Sequence, residues 1–380
     1  MALRYARWTL AAAVLAWAGV ACSNSEGPSG PATPPDSTAT LAALAASDSA
    51  FTSPVYSSFS AALGGISFAA VSPISRAAPY LERWRLIAAA PRLLSLSGAR
   101  GRGVAQVIRP AGSTTAADAV LPDSVLGKTF EWDTATNTYV KTTRAGAPAN
   151  GVRFLLYALD NDTVAEPVTQ VGQFDVIDLS TSSVPSVRLV VGGPGGTPTY
   201  YDATFRDQHS GGTDSSFTFS GSGFASNGGA GDALRRLAFN ASLGQDLFAD
   251  TAAVLTIKVS FTLSQPSVSF TSSLTEGENP TDSTTAYDLE LTSAAGSIRV
   301  KVSQVDNANG RLISGTFYSN GAVFTRVVQG RTGNPIWTDA DGNLLSADNT
   351  AVAQSVVTLL IEGIGLYSIF LEPGAAFIGA

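Results

Sequence analysis

The sequence predicts a mainly β protein, in which a large curved antiparallel β-meander, an open barrel or a two-layer sheet, carries short N-terminal helices and a buried C-terminal helix. From about Pro122, apolar and polar residues alternate in one run after another, as they do in half-buried strands. Turn signals rich in glycine and asparagine separate these runs. Close to the C-terminus the apolar period becomes helical, and apolar residues cover most sides of that segment.

The first 21 residues have the layout of an export signal. Arg4 and Arg7 provide a positively charged start, and an uncharged apolar stretch follows from Leu10 to Val20. This stretch is short for a bilayer-spanning helix, which needs about 20 apolar residues, so cleavage is favoured over a retained anchor. We therefore expect residues 1–21 to be a signal peptide that the mature protein lacks.

The signal ends in Gly19-Val20-Ala21-Cys22, and Cys22 is the only cysteine in the chain. This tetrapeptide resembles the lipobox of bacterial lipoproteins, although Gly19 stands where leucine is commonest. The resemblance implies that the Cys22 thiol carries a diacylglycerol with palmitate-like chains and that cleavage falls just before it. Ser23 follows in place of aspartate, which by the same resemblance implies the outer membrane. The alternative is ordinary cleavage after Ala21, leaving a soluble periplasmic protein with a free thiol.

Three further segments complete the predicted organisation of the chain. Residues 22–40 combine the lipidated cysteine with a linker rich in Pro, Gly and Ser, which predicts a flexible spacer. Residues 41–97 are alanine-rich with a helical pattern that prolines interrupt, which predicts two or three short helices. Residues 98–380 are interpreted as one antiparallel β domain that ends in a helix over residues 350–371.

The β domain is predicted to contain about twelve to fourteen strands. Its clearest strand runs from Ala253 to Leu263, where apolar residues alternate with threonine, lysine and serine. Asp288 and Glu290 alternate with apolar neighbours in the same way, so they are predicted to lie on the solvent-exposed face. Short turns without intervening helices favour antiparallel neighbours, and so many strands must curl or form two layers.

The C-terminal helix, residues 350–371, has a membrane-spanning alternative. Glu362 lies near its middle, where a charge in a bilayer costs about 2.5–3.5 kcal/mol, and no lysine or arginine flanks the segment. We therefore expect burial against the sheet, with a cap within residues 346–349 and a stop at Pro373-Gly374.

Charge and composition exclude several classes of function. The chain has 23 basic and 30 acidic residues, a net charge of −7, which disfavours nucleic acid and anionic lipid surfaces as partners. His209 is the only histidine, so no multi-histidine metal site can form. With one cysteine there is no internal disulfide. We expect a monomer without a cofactor.

The segment Asp339-Ala340-Asp341-Gly342-Asn343 matches the opening of a calcium-binding loop, which makes Asp339, Asp341 and Asn343 weak candidate metal ligands. The glycine and glutamate that such a loop needs at its sixth and twelfth positions are missing. A two-residue hairpin turn at Asp341-Gly342 explains the same residues. We therefore favour the turn.

No catalytic residues are predicted. Gly127-Lys128-Thr129 resembles the end of a phosphate-binding loop, but a strand follows where a helix is required. No Gly-x-Ser-x-Gly elbow is present, and the paired acids that would suit a glycosidase are explained by an exposed strand face.

Taken together, these features indicate a non-enzymatic, lipid-anchored envelope protein that acts as a binding or scaffold module. The order of its elements resembles that of the periplasmic lipoprotein carriers of the LolA and LolB type, in which an open barrel with a helical lid shelters acyl chains. That resemblance implies an apolar ligand within the sheet. A carboxylate-dependent hydrolase and a surface adhesion or carbohydrate-binding domain remain alternatives. The latter predicts an exposed aromatic shelf that draws on Trp132, Tyr200, Tyr201 or Trp337.

Overall fold

A computed structural model describes eight segments of the chain, which are residues 48–51, 53–63, 120–160, 163–210, 216–248, 252–278, 282–330 and 334–378. The predicted signal peptide, Cys22, the linker and most of the 41–97 segment lie outside them. Within the 41–97 segment, a 3-10 turn spans Asp48–Phe51 and helix α1 spans Pro54–Leu63. Helix α2 spans Ala347–Ile378 at the other end of the chain.

Between the helices, the described residues form seventeen strands. The first nine are β1 (Lys128–Asp133), β2 (Thr138–Thr142), β3 (Gly151–Tyr157), β4 (Leu159–Asp160), β5 (Thr163–Val164), β6 (Gln170–Asp178), β7 (Ser186–Gly192), β8 (Thr199–Ser210) and β9 (Ser216–Ser226). The others are β10 (Arg236–Phe248), β11 (Ala252–Leu263), β12 (Val268–Glu278), β13 (Asp282–Ser293), β14 (Gly296–Asn307), β15 (Gly310–Ser319), β16 (Ala322–Gln329) and β17 (Ile336–Thr338).

Fifteen of these strands belong to one sheet, whose order is β17 to β6 in reverse sequence, followed by β3, β1 and β2. Strands β4 and β5 form a separate small hairpin. The predicted mainly β fold with a large meander is confirmed, with two departures. The described residues form seventeen strands instead of twelve to fourteen, and β1 and β3 are parallel, so the sheet is mixed. The β1–β2 hairpin places β2 at the edge, and the chain returns through residues 143–150 to the other side of β1. There the Phe130 and Phe154 rings stack with centroids 5.1 Å apart.

Strand β11 illustrates why alternation produces this sheet. Its buried side chains all lie on one face, and they are those of Leu255, Ile257, Val259, Phe261 and Leu263. Lys258 is exposed on the opposite face. Burial of each large apolar side chain contributes about 1.5–3 kcal/mol, so a slip of one residue would exchange the two faces and lose that burial. The predicted strand from Ala253 to Leu263 is confirmed.

Hairpin turns set the register where the sequence contains Asn-Gly. Asn320 and Gly321 have φ angles of 50° and 81°, the left-handed conformation of a type I′ turn. The Asn320 side chain also accepts a hydrogen bond from the Ser297 amide at 2.9 Å. A Cβ atom at Gly296 would lie 2.3 Å from the Asn320 Oδ1, so this contact requires glycine. The hydrogen bond between Ser297 and Asn320 therefore connects the β13–β14 turn to the β15–β16 turn.

Both helices pack on the same face of the sheet, which we call the helix face; the opposite face is the outer face. From α1, the Phe59 ring lies 4.8 Å from that of Phe174 and 5.5 Å from that of Tyr201. From α2, the Phe370 ring stacks on Phe239 with centroids 4.5 Å apart. The helix face therefore contains the apolar core.

The start of α2 follows the prediction, whereas the start of α1 and the end of α2 do not. The Ser53 hydroxyl accepts the Tyr56 amide at 3.0 Å, and Pro54 begins α1 instead of interrupting it. Ser346 caps α2 by accepting the Asn349 amide at 3.3 Å, as predicted.

The predicted stop at Pro373-Gly374 is wrong, because α2 continues to Ile378. Proline inside a helix costs about 3 kcal/mol, which burial of the helix end offsets. A Cβ at Gly374 would lie 2.0 Å from the Phe205 ring, so glycine lets the helix backbone contact the sheet.

Candidate functional site

The helix face, where the carrier interpretation places an apolar ligand, is covered by helix side chains over part of its described strands. Phe370, Leu371 and Phe377 near the end of α2 are all at most 3% exposed. The Phe377 ring lies 6.0 Å from Phe174, to which Phe59 of α1 also packs. These contacts make the end of α2 part of the core over the strands that it covers.

The four aromatic residues proposed for a carbohydrate-binding shelf do not come together. Tyr201 is 1% exposed, inside the core. Trp132 packs edge-to-face on Tyr139 in strands near one end of the sheet, whereas Trp337 packs on Phe317 near the other. Tyr200 lies beneath the β9–β10 loop, where a Cβ at Gly228 would approach its ring to 2.5 Å. The structure therefore offers no common surface built from these four residues.

Buried acidic residues are also dispersed. Asp207 in β8 and Glu276 in β12 are 4% and 7% exposed on the helix face. Four strand spacings of about 4.8 Å separate them along the sheet, whereas the paired carboxylates of glycosidases lie about 5–9.5 Å apart.

Burial, together with the negative charge of Glu276, raises the pKa of Tyr287 to about 12, so this phenol stays neutral at ordinary pH.

The candidate calcium residues form a hairpin loop. The Asp339 amide donates to the Asn343 carbonyl oxygen at 2.9 Å, and Gly342 has φ +88°. The loop between them is residues 340–342, so the predicted two-residue turn is one residue too short. Three-residue hairpin loops usually consist of a type I turn followed by a glycine in the left-handed conformation. This glycine matches the loop to the right-handed twist of the strands, which a type I turn alone does not.

The Asp339 carboxylate stabilises this loop from within. Its Oδ1 accepts the Asp341 and Asn343 amides, each at 2.9 Å, and its Oδ2 accepts the Asn343 side-chain amide at 3.1 Å. The hydrogen bonds from Asn343 lower the pKa of Asp339. Asp339, Asp341 and Asn343 are therefore brought together, with the Asp339 oxygens directed to donors of the loop. Among the described residues, no group of three or more His, Cys, Asp or Glu could hold a metal ion.

The Gly127-Lys128-Thr129 segment takes the structural role that the sequence favours, whereas His209 lies in a strand and not in the predicted loop. Gly127 has φ +69° and leads into β1, so Lys128 and Thr129 begin a strand and not a phosphate-binding helix. His209 lies in β8 opposite Phe217 of β9.

Arginine–aspartate pairs connect neighbouring strands on the outer face. Arg299 donates to both carboxylate oxygens of Asp288 at 2.8 and 2.7 Å, and its Nη1 lies 3.9 Å from Glu290. Arg153 holds Asp175, and Arg188 holds Asp202, in the same two-bond geometry. Asp288 and Glu290 thus lie on the exposed strand face, as predicted, where a guanidinium holds them.

A groove of about 490 Å³ crosses the outer face over β12–β16. Register places Ala286, Ser303 and Ser314 directly opposite one another on three successive strands. Each of these small side chains lies between longer ones along its strand, and this difference in length produces the depression. The residues that border it with hydroxyl groups are Ser273, Thr275, Ser303, Ser314 and Thr316.

Two cationic side chains also line the groove. The Lys301 Nζ lies 3.8 Å from the Asp288 carboxylate, and the Arg326 Nη1 donates to the Ala340 carbonyl oxygen at 2.6 Å. The hydrogen bonds from Arg299, and the charge of Lys301, lower the pKa of Asp288. Among the residues that line the groove, Lys301 and Arg326 are the cations and Asp288 is the one acid.

Sequence reasoning missed this groove because no single residue in it is unusual. The signal that points to it is the coincidence of small residues at matched positions of adjacent strands, and this emerges only when the register is known. The alternation of polar and apolar residues predicts only that these groove residues share one face of the sheet.

Comparison of the chain with protein-family models, with curated proteins and with solved structures finds no match in any of the three. In the part of the chain that the structure describes, no helix combines the length and the apolar character needed to cross a membrane.

Proposed function

We propose that this protein is a non-enzymatic envelope lipoprotein, tethered to the outer membrane through Cys22, whose β-sheet body is a binding module. One observation supports the tether above all: the single cysteine of the 380-residue chain falls at the lipidated position of a lipobox-like sequence. Lipidation with N-acylation would supply two or more acyl chains, which stable anchoring requires.

The arrangement of the sheet favours binding at its outer face over carriage of an apolar ligand under the helix. An apolar guest in the described core would have to displace Phe370 from Phe239 and Phe261, where its ring centroids lie 4.5 and 6.2 Å away. The outer face instead presents an open groove whose side chains already face solvent. The module therefore binds by surface contact while its core stays closed.

Labelling and fractionation test the tether. In a bacterium that processes lipoproteins, the full chain should incorporate radiolabelled palmitate and pellet with membranes. The Cys22→Ser variant should lose all label and move to the soluble fraction, because serine lacks the acylated thiol. Absence of label on the native chain, or an unchanged membrane fraction for Cys22→Ser, would contradict the proposal.

A matched variant at the next position provides the control. Ser23→Asp keeps the thiol and should keep the label, so any loss of lipid in Cys22→Ser belongs to the sulfur. By the lipoprotein resemblance, Ser23→Asp should also move the protein from the outer to the inner membrane fraction. Retention in the outer membrane would remove the argument from Ser23.

A further inference from the structure

We propose that the outer-face groove over β12–β16 binds an anionic saccharide, a carbohydrate that bears carboxylate or phosphate groups. This inference rests on the proposed function of the body as a binding module, but it does not depend on the lipid at Cys22. Three features of the groove carry it: its border of hydroxyl groups, its two lining cations and its rigid support.

The groove surface suits a ligand that carries both polar and apolar groups. Its volume of about 490 Å³ lies within the usual range of ligand sites, which is about 300–1,000 Å³. Five serine and threonine hydroxyls border the groove, and apolar groups, among them those of Ala286 and Val328, make up most of its remaining surface. An apolar ligand would cover hydroxyl groups without replacing their hydrogen bonds to water, which is costly. A polyhydroxylated ligand replaces those bonds one for one.

The charge of the groove selects an anion. Lys301 and Arg326 line it, and the one acid of its lining, Asp288, is held by two hydrogen bonds from Arg299. Among the residues that line the groove, two cations therefore stand beside one carboxylate, on a chain whose net charge is −7. A carboxylate or phosphate group would make charge-assisted hydrogen bonds with Lys301 and Arg326 in this groove.

The cationic groups stand on rigid elements. Lys301 lies on β14, which is paired along its length with β13 and β15. Arg326 lies on β16 and is held toward the β17 loop by its 2.6 Å hydrogen bond to the Ala340 carbonyl. Side chains supported in this way lose less conformational entropy when a ligand binds. Val328 at the groove margin is 51% exposed and adds an apolar surface for the C–H groups of a sugar ring.

Calorimetric titration of the full chain, purified in detergent, tests the proposal. The charged probes are trigalacturonic acid for carboxylates and glucose 6-phosphate for phosphates, and the controls are neutral galactotriose and inorganic phosphate. At least one charged saccharide should bind about tenfold or more tightly than both controls, because it alone combines hydroxyls with an anion. Its affinity should fall as salt is added.

Two lysines on the same outer-face row provide matched variants. Lys301→Gln should weaken binding of the charged saccharide about tenfold, the effect of losing a charge-assisted hydrogen bond. Lys258→Gln removes the same charge from exposed β11, outside the groove lining, and should change affinity less than twofold. Ser314→Tyr fills the groove without a change in charge and should abolish binding while the far-ultraviolet circular dichroism stays native.

Each other result overturns the inference. Equal binding of galactotriose removes the role of charge, and equal binding of inorganic phosphate leaves a simple anion site. Equal effects of Lys301→Gln and Lys258→Gln place binding elsewhere, and no binding by either charged saccharide ends the proposal. Failure of palmitate labelling would remove the tether alone, because the groove is titrated in detergent and independently of membrane attachment.

Discussion

The helix face and the outer face of this sheet are made from alternate residues of the same strands, yet different forces stabilise them. On the helix face, aromatic rings from both ends of the chain stack on the sheet, as Phe59 does on Phe174 and Phe370 on Phe239. On the outer face, small hydroxyl side chains alternate with arginine–aspartate pairs. The comparison teaches that stability resides mainly on one face, which leaves the other available for binding.

Removal of an aromatic ring from the helix face should have the largest effect. Phe370 is 1% exposed between Phe239 and Phe261. Phe370→Ala should lower the free energy of unfolding by about 3–5 kcal/mol, because it removes buried area and leaves a cavity. Urea denaturation followed by fluorescence measures this change.

An outer-face truncation of similar chemistry is the control. Val328 is 51% exposed, so Val328→Ala should alter the free energy of unfolding by less than about 0.5 kcal/mol. Similar losses from Phe370→Ala and Val328→Ala would mean that α2 is a removable lid and would revive carriage of an apolar ligand.

Two arginine–aspartate pairs of the outer face differ in burial, so they test whether burial determines how much a contact stabilises the fold. The Arg153 and Asp175 side chains are 20% and 11% exposed, whereas Arg188 and Asp202 are 44% and 23% exposed. Asp175→Ala should cost about 1–3 kcal/mol of unfolding free energy, since it leaves a largely buried guanidinium without its acceptor. Asp202→Ala should cost less than about 1 kcal/mol, because solvent screens the more exposed pair. Equal denaturation midpoints for the two variants would show that burial does not separate them.

The smallest expected effect is the loss of unfolding free energy that acid causes by protonating Asp288 on the outer face. Its pKa is lowered chiefly by hydrogen bonds from Arg299, so the charged form stabilises the folded state above the unfolded pKa of about 3.9. That contribution is lost as pH falls through the lower folded pKa. Between about pH 5 and pH 2, the native chain should lose about 0.2–1 kcal/mol more stability than Asp288→Asn.

Urea midpoints at the two pH values measure the Asp288 effect. Arg299→Gln should remove the same pH dependence, because it takes away the donor that lowers the pKa. If native chain and Asp288→Asn respond identically to acid, the pair contributes nothing at this face.

Much of the fold can be predicted from local sequence. The alternation from Ala253 to Leu263 predicts β11, and Asn320-Gly321 predicts its hairpin turn, because backbone conformation at these places depends on neighbouring residues. The parallel pairing of β1 with β3 and the extension of α2 past Pro373 were not predictable in this way. Each depends on contacts between residues far apart in the chain.

The candidate functional residues also differ in how far the sequence predicts them. Cys22 is predicted from four consecutive residues, and its lipidation stays a prediction, since that part of the chain lies outside the described residues. The groove involves residues from β12 to β16 that are individually ordinary. Sequence spacing cannot reveal it without the register of five strands.

The sequence by itself determined the strand period, the Asn320-Gly321 turn, the start of α2 and the face to which each strand side chain belongs, because all of these follow from interactions within a few residues. Only the tertiary structure decided where α2 ends, which strand joins β1 and where small side chains meet across β13–β15. The physical reason is that burial and register are collective: a proline is tolerated and a groove is formed only when distant segments supply the contacts.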